Sequence, residues 1–242
     1  MRFLPLALSL VTLVTTASAQ TITVSKENRT IAITATDRVI ATADVATVHI
    51  GFIAYGPDSD GAYAAGSRLS NAIVKALTSS GVPSDAIESE NQNVSPVQQY
   101  QQEKMTPAEK AQHQFQVVQS WTVRTNATDA AKILDLAVKA GANQSGQIDW
   151  SLRDENAPQA EAAAKALQRA RTVAGEMANG LSAKLGTLLY ASNETQSTPV
   201  QPLMRAMPAP MIQSKQMTVE PLAVNPRRIE KTATVYAVFA IE

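Results

Sequence analysis

Hydrophobic residues recur along this chain with two periods, and the alternation between them predicts the fold. The longest stretch of helical period runs from Asn156 to Gly186. Ala163, Leu167, Ala170, Ala174, Met177 and Leu181 recur at steps of four and three, which places them on one stripe of a helix. Lys165, Gln168, Arg169, Arg171, Glu176 and Lys184 fill the solvated face. Asn156 is placed as N-cap, Pro158 is tolerated in the first turn, and Glu161 and Lys184 complement the helix dipole. Gly186 is placed to end the helix by taking positive φ. Such a helix, over residues 156–185, is about 40 Å long. A stripe made mostly of alanine suits close approach to a sheet. The same spacing allows helix pairing, but the run is too short for a sustained heptad repeat and poor in Leu, so sheet packing is favoured.

Period-two alternation predicts the strands. Arg29–Thr36 alternates. Over Val45–Tyr55, Ala46, Val48, Ile50, Phe52 and Ala54 face one way and Thr47 and His49 the other. Ile87–Val94 exposes Glu88 and Glu90 on one face; Phe115–Thr125 turns Phe115, Val117, Trp121 and Val123 inward. Gln147–Arg153 turns Ile148, Trp150 and Leu152 in and Asp149 out. Thr187–Ser192 and Arg227–Ile241 close the chain, the latter with Val235, Ala237, Phe239 and Ile241 on one face. A helix capped among Asp58, Ser59 and Asp60 carries Ala65, Leu69, Ala72, Ile73 and Ala76 and stops at Gly81 and Pro83. Another, capped by Asn126 or Thr128, carries Ala130, Ile133, Leu134, Ala137 and Val138 and closes at Gly141. Strand, capped helix, glycine and strand thus occur at 45–94 and again, faintly, at 115–153. Alternating strands have one wet face, so the expected class is α+β: an antiparallel or mixed sheet covered on one side by helices.

Two segments interrupt this pattern. Residues 98–114 are rich in Gln and charge, and Thr106-Pro107-Ala108-Glu109 has capping-box form, which predicts a short helix. Residues 193–228 carry Pro199, Pro202, Pro208, Pro210, Pro221 and Pro226, too many for a helix or a central strand.

Composition narrows the compartment. Met1-Arg2, the apolar run Phe3–Val14 and Ala17-Ser18-Ala19 have the form of a cleaved signal peptide over residues 1–19, leaving one domain over 20–242. The run is too short to span a bilayer, and no later run is long and apolar enough. Cleavage near Ala19 removes Arg2 and no acid, so a neutral chain becomes one of net charge −1. That balance, with no basic stripe, excludes nucleic acid as a partner. Cysteine is absent, so no lipidated or disulfide-bonded form is available. The expected location is periplasmic or otherwise extracytoplasmic.

The same composition limits chemistry. His49, on the outward face of a strand, and His113, in a polar loop, are the two histidines; both read as ordinary surface residues. A Ser–His–Asp triad would have to recruit one of them, and no Gly-x-Ser-x-Gly is present. Glu88 and Glu90 read as a solvated face, not as a facing catalytic pair. Gly-rich phosphate loops are absent. Trp121 and Trp150 would be the aromatics of a binding face, although both lie on apolar faces that suit core packing. Met204, Met207, Met211 and Met217 could hold Cu(I) or absorb oxidant in an exported chain. Gap-filling contacts of a Pro-rich arm are the plainer reading.

Several stretches together resemble the SIMPL-domain family. They are Ile31-Ala32-Ile33-Thr34-Ala35 before Ala43-Asp44-Val45-Ala46-Thr47-Val48, Ala140-Gly141-Ala142-Asn143 running into Gly146-Gln147-Ile148, and Ala166–Ala178 ending at Lys184-Leu185-Gly186. Order and spacing carry the likeness over nearly all of the mature chain. One departure is Ala43, where the family usually has Pro before the Asp. The resemblance implies an exported α+β domain and, in some members, ring-like or channel-like homo-oligomers at the envelope. It implies relatives linked to oxidative stress and to immunogenic surface antigens. It implies no agreed catalytic residues, and none are assigned here.

The expected function is therefore non-enzymatic: a self-associating periplasmic protein, with other envelope proteins as further partners, serving envelope integrity or oxidative-stress resistance. No catalytic, cofactor-binding or metal residue is expected beyond the four methionines. The alternative is a periplasmic module binding a peptide, a lipid or a metal ion. A hydrolase ranks last for want of groups.

Overall fold

The computed structural model describes residues 29–194 and 221–242. In chain order the elements are β1 (Thr30–Thr42), β2 (Val45–Gly56), α1 (Ser59–Ser79), β3 (Ile87–Pro96), α2 (Gln99–Gln102), α3 (Pro107–Gln112), β4 (Phe115–Asn126), α4 (Ala130–Lys139), β5 (Ile148–Ser151), α5 (Asn156–Gly180), β6 (Leu185–Glu194) and β7 (Arg228–Ile241). The class is α+β, but the strands form two sheets: four strands in the order β3-β4-β2-β5 and three in the order β1-β7-β6. Every ladder is antiparallel. Helices α1 and α4 pack on the four-stranded sheet and α5 on the three-stranded one. Only Ala43 and Asp44 separate β1 from β2, yet the two strands belong to different sheets. Asp44 ties that junction: its carboxylate accepts from the Arg153 N–H at 2.8 Å and its carbonyl from the Ala127 N–H at 3.0 Å.

The internal echo resolves in the larger sheet. The units β2-α1-β3 and β4-α4-β5 interleave, with β4 between β2 and β3 and β2 between β4 and β5, a split β-α-β arrangement. The inward row of β2 is its core: Ala46, Val48, Ile50, Phe52 and Ala54 are all buried, with the Trp121 ring centroid 5.8 Å from that of Phe52. Helix α1 meets this row through Ala62, Gly66, Ile73 and Leu77. Of the expected stripe only Ile73 is buried; Ala65, Leu69 and Ala76 are half-buried and Ala72 is exposed. The pattern missed Gly66 because glycine has no hydrophobic side chain. Its missing Cβ is the contact: a Cβ there would lie 2.8 Å from Val117 Cγ1.

Helix α5 corrects the predicted stripe in the same way. Its buried residues are Ala162, Ala166, Ala170, Ala174 and Ala178, all fully buried at a strict step of four. Ala163 and Leu167 are half-buried beside them, whereas Met177 and Leu181 are exposed. A step of four follows the helix surface ridge inclined by about 26° to the axis, so the contact line slants across the strands. Methyl-sized side chains let the helix lie close on Ile31, Ile33, Val235, Ala237 and Phe239. The larger Met and Leu are left to the flank.

The ends of α5 also differ from expectation. Asn156 lies within the helix, and the Asp154 carboxylate caps it, accepting from the N–H groups of Asn156 at 2.8 Å and Ala157 at 3.2 Å. The helix stops at Gly180, and Gly186 lies in β6. The residue past the end with positive φ is Ser182, at 55°. All three long helices close alike. Val82 N–H bonds to Leu77 carbonyl, Ala142 to Ala137 and Ala183 to Ala178, each across a left-handed residue: Gly81, Gly141 and Ser182. Neither Asn126 nor Thr128 caps α4; a short turn of 3-10 helix, Ala127–Asp129, leads into it, and Val138 is exposed. The capping box predicted in the 98–114 segment is present: Thr106 N–H donates to Glu109 Oε2 at 2.8 Å and Glu109 N–H to Thr106 Oγ1 at 3.3 Å.

Two stability measurements probe these contacts. Ala170→Leu inserts a branched side chain where only a methyl fits, and is expected to lower unfolding free energy by about 1–3 kcal/mol or more in urea titrations followed by circular dichroism. Ser182→Gly removes the left-handed strain of a residue with a Cβ. It is expected to stabilise by roughly 0.5–1 kcal/mol, because the strain relieved exceeds the extra freedom glycine gains when unfolded.

Candidate functional site

The helix-free face of the four-stranded sheet carries one cluster of ionisable side chains. Its centre is His49, outward on β2 beside Thr47. His49 stands opposite Thr122 of β4, and Thr122 opposite Glu88 of β3. The β3 ladder then slips: Ser89 pairs with Trp121 and Asn91 with Ser120, so Glu90 is an extra residue in a bulge. Bulges re-aim side chains, and this one brings Glu90 Oε1 to 3.4 Å from His49 Nδ1. From the other side β5 sets Asp149 opposite Thr47, with Oδ2 at 2.7 Å from His49 Nε2. Glu88 and Glu90 are both exposed on this face, as the pattern predicts, but Glu90 also reaches His49, which is no isolated surface histidine.

The electrostatics follow from this placement. Partial burial is the largest single influence on His49 and pulls its pKa down; the Asp149 hydrogen bond and the charges of Glu90 and Asp149 together outweigh it, and the pKa is raised above 6.5. An imidazolium donates from both ring nitrogens, so the protonated ring satisfies both carboxylates and joins β3, β2 and β5 across the sheet. The side chain is 28 % exposed, on an open surface rather than in a deep cleft. Its nitrogens meet carboxylates and, among the described residues, no hydroxyl. This is a charged clasp between strands, without a nucleophile aligned to the imidazole.

His113 lies elsewhere. It stacks on Tyr55 with ring centroids 4.3 Å apart, and its Nδ1 is buried without a hydrogen-bond partner among the described residues. Tyr55 is six residues from His49 on β2, roughly 20 Å along a strand. The two histidines cannot share a ligand. Trp121 is buried in the core and Trp150 packs half-buried against it, so neither is a binding-face aromatic. Met204, Met207, Met211 and Met217 lie outside the described residues.

Two residues do more than the sequence pattern suggested. Strand β5 pairs only with Val45–Val48 of β2, and the loop before it completes that edge. Asn143 acts as a surrogate peptide: its Oδ1 accepts from Ile53 N–H at 2.8 Å and its Nδ2 donates to Ile53 carbonyl at 3.0 Å. The Gly51 carbonyl accepts from Asn143 and Gln144 N–H, and Ser145 Oγ accepts from Gly51 N–H at 3.2 Å. Asn143 and Asp44 thus hold backbone in place. Their only sequence signal was their position in the stretches that carry the family resemblance.

Residues 31–239 match the family model described as SIMPL, protein of unknown function (DUF541). No curated protein matches the chain.

The clasp has a pH signature. Because the folded pKa of His49 exceeds the unfolded value, its stabilisation is complete below about pH 6.5 and fades as pH rises through the folded value. The gap in urea midpoint between wild type and His49→Gln is expected to be wider at about pH 5.5 than at about pH 8.5. Asp149→Asn should narrow it. An equal gap at both pH values would contradict the clasp.

Proposed function

The chain belongs to the SIMPL family of proteins of unknown function, and on that premise we propose that it is a non-enzymatic, exported protein that acts by self-association in the cell envelope, supporting envelope integrity or resistance to oxidative stress. Export rests on the signal-peptide form of residues 1–19. No helix among the described residues is long and apolar enough to cross a membrane. The non-enzymatic reading rests on the separation of the two histidines and on the carboxylates that occupy both ring nitrogens of His49.

One observation carries self-association. Helix α5 lies over β1 and β7 and reaches β6 only at its margin. Leu188 stands opposite Phe239, on the face α5 covers elsewhere, yet is 44 % exposed, and Leu189 beside it is 56 % exposed. The flank of α5 nearest β6 meets it at Gly175 beside Leu185 and leaves Leu188 and Leu189 uncovered. The outer edge of β6 pairs with no strand among the described residues. An apolar patch beside an open strand edge invites pairing. A second copy carries the same surface, which suits a two-fold interface.

Sedimentation velocity on the mature chain is expected to show a concentration-dependent species larger than a monomer. The double variant Leu188→Lys/Leu189→Lys is expected to shift it to monomer with its circular dichroism unchanged. A wild type that stays monomeric at every attainable concentration would overturn the proposal.

A further inference from the structure

At one end of the four-stranded sheet lies an open cleft of about 370 Å³. It forms where α1 ends, β4 runs into α4 and β5 finishes. Its floor is apolar: Val45, Val82 and Ile133 are buried side chains that line it. Its rim carries three cations from three elements, Arg124 at the end of β4, Lys132 on α4 and Arg153 just past β5. One acid, Asp129, completes the charged lining.

That acid does not neutralise the rim. Asp129 Oδ2 accepts from the Asn126 side-chain amide at 3.2 Å, and Asn126 Oδ1 in turn accepts from Arg153 Nη2 at 3.0 Å. The amide stands between the carboxylate and the guanidinium and holds both in place. Arg153 is held a second time through its backbone N–H, which donates to Asp44 Oδ1. Arg124, Lys132 and Arg153, like most lysines and arginines among the described residues, form no ion pair. A chain of zero formal net charge therefore gathers three unneutralised cations around one apolar floor. A guanidinium fork binds an oxyanion with two parallel hydrogen bonds, and an ammonium adds a point charge. Pockets that hold small ligands are concave, largely apolar, and carry a few convergent polar groups; their volumes run from roughly 300 to 1,000 Å³. This cleft lies at the small end, sized for a compact molecule or the head of a longer one.

We infer that this cleft binds a small amphiphilic oxyanion, a carboxylate or phosphate monoester on a short apolar body. The charged head sits among Arg124, Lys132 and Arg153, and the apolar body lies on Val45, Val82 and Ile133. The inference does not depend on self-association, because the cleft is built entirely from the four-stranded sheet and its helices.

Calorimetric titration of the mature chain tests it, with octyl phosphate and octanoate as probes and octanol and inorganic phosphate as their halves. Saturable binding of octyl phosphate or octanoate is expected, at least about tenfold tighter than either half. Each of Arg124→Ala and Lys132→Ala is expected to weaken it by roughly tenfold, the effect of removing one charged contact. Lys132→Arg is expected to retain it. Both alanine positions are exposed, and circular dichroism confirms folding. Vesicles containing phosphatidic acid, whose head is a phosphate monoester, distinguish the source: co-sedimentation abolished by the double alanine variant identifies a lipid head as ligand, and octyl phosphate binding without co-sedimentation identifies a free small anion. The inference is overturned if neither amphiphilic anion binds saturably, if octanol binds as well as octyl phosphate, or if the double variant binds unchanged.

Discussion

The fold depends on how closely one helix can approach one pair of strands. Five alanines of α5 are fully buried against β1 and β7. Alanine gives up no side-chain rotamer freedom on burial and has the highest helix propensity. The seam can therefore be tight without opposing the helix that forms it. Its weight comes from the sheet, where Ile31, Ile33, Val235 and Phe239 supply the apolar area. Gly66 takes the same approach one step further in the other half of the molecule, where even a methyl would meet Val117. Small helix residues facing large strand residues are the packing rule of the α5 seam and of the Gly66 contact, whereas Ile73, Leu77, Ile133 and Leu134 supply bulk from the helices of the larger layer.

That rule explains which parts of the fold were legible in the sequence. Strand faces were legible because large β-branched and aromatic residues mark them by alternation: the inward rows of β2 and β7 are those the pattern predicts. Helix faces were less so, since a pattern that follows large apolar residues points to Met177 and Leu181, which the structure exposes. Helix ends were legible at Gly81 and Gly141 because glycine signals positive φ. Ser182 performs the same task while looking like any polar surface residue. The division into two sheets was hidden because nothing in the two-residue link Ala43-Asp44 distinguishes a hairpin from a crossing.

The candidate site was legible in its members and not in its assembly. His49 and Asp149 both read as outward residues of strands. Their meeting requires β5 beside β2, a pairing between positions a hundred residues apart. Glu90 joins only because of a bulge, and a bulge breaks the period on which strand reading relies. The rim of the basic cleft was less legible still, because its three cations come from three elements with no common spacing. Non-local order, rather than residue type, is what the linear pattern leaves out.

The ladder between β1 and β7 has a further consequence. It runs from Thr30 opposite Ala240 to Thr42 opposite Arg228, joining the first described strand to the last. A ribosome releases the chain N-terminus first, so β1 exists long before its hydrogen-bonding neighbour does. During that interval its alternating Ile31, Ile33 and Ala35 have no sheet to enter, and the seam of α5 has only half a floor. Contacts of such sequence separation form slowly. The three-stranded layer is thus late to close, and β1 stays an unmated strand until residues 228–241 have been made.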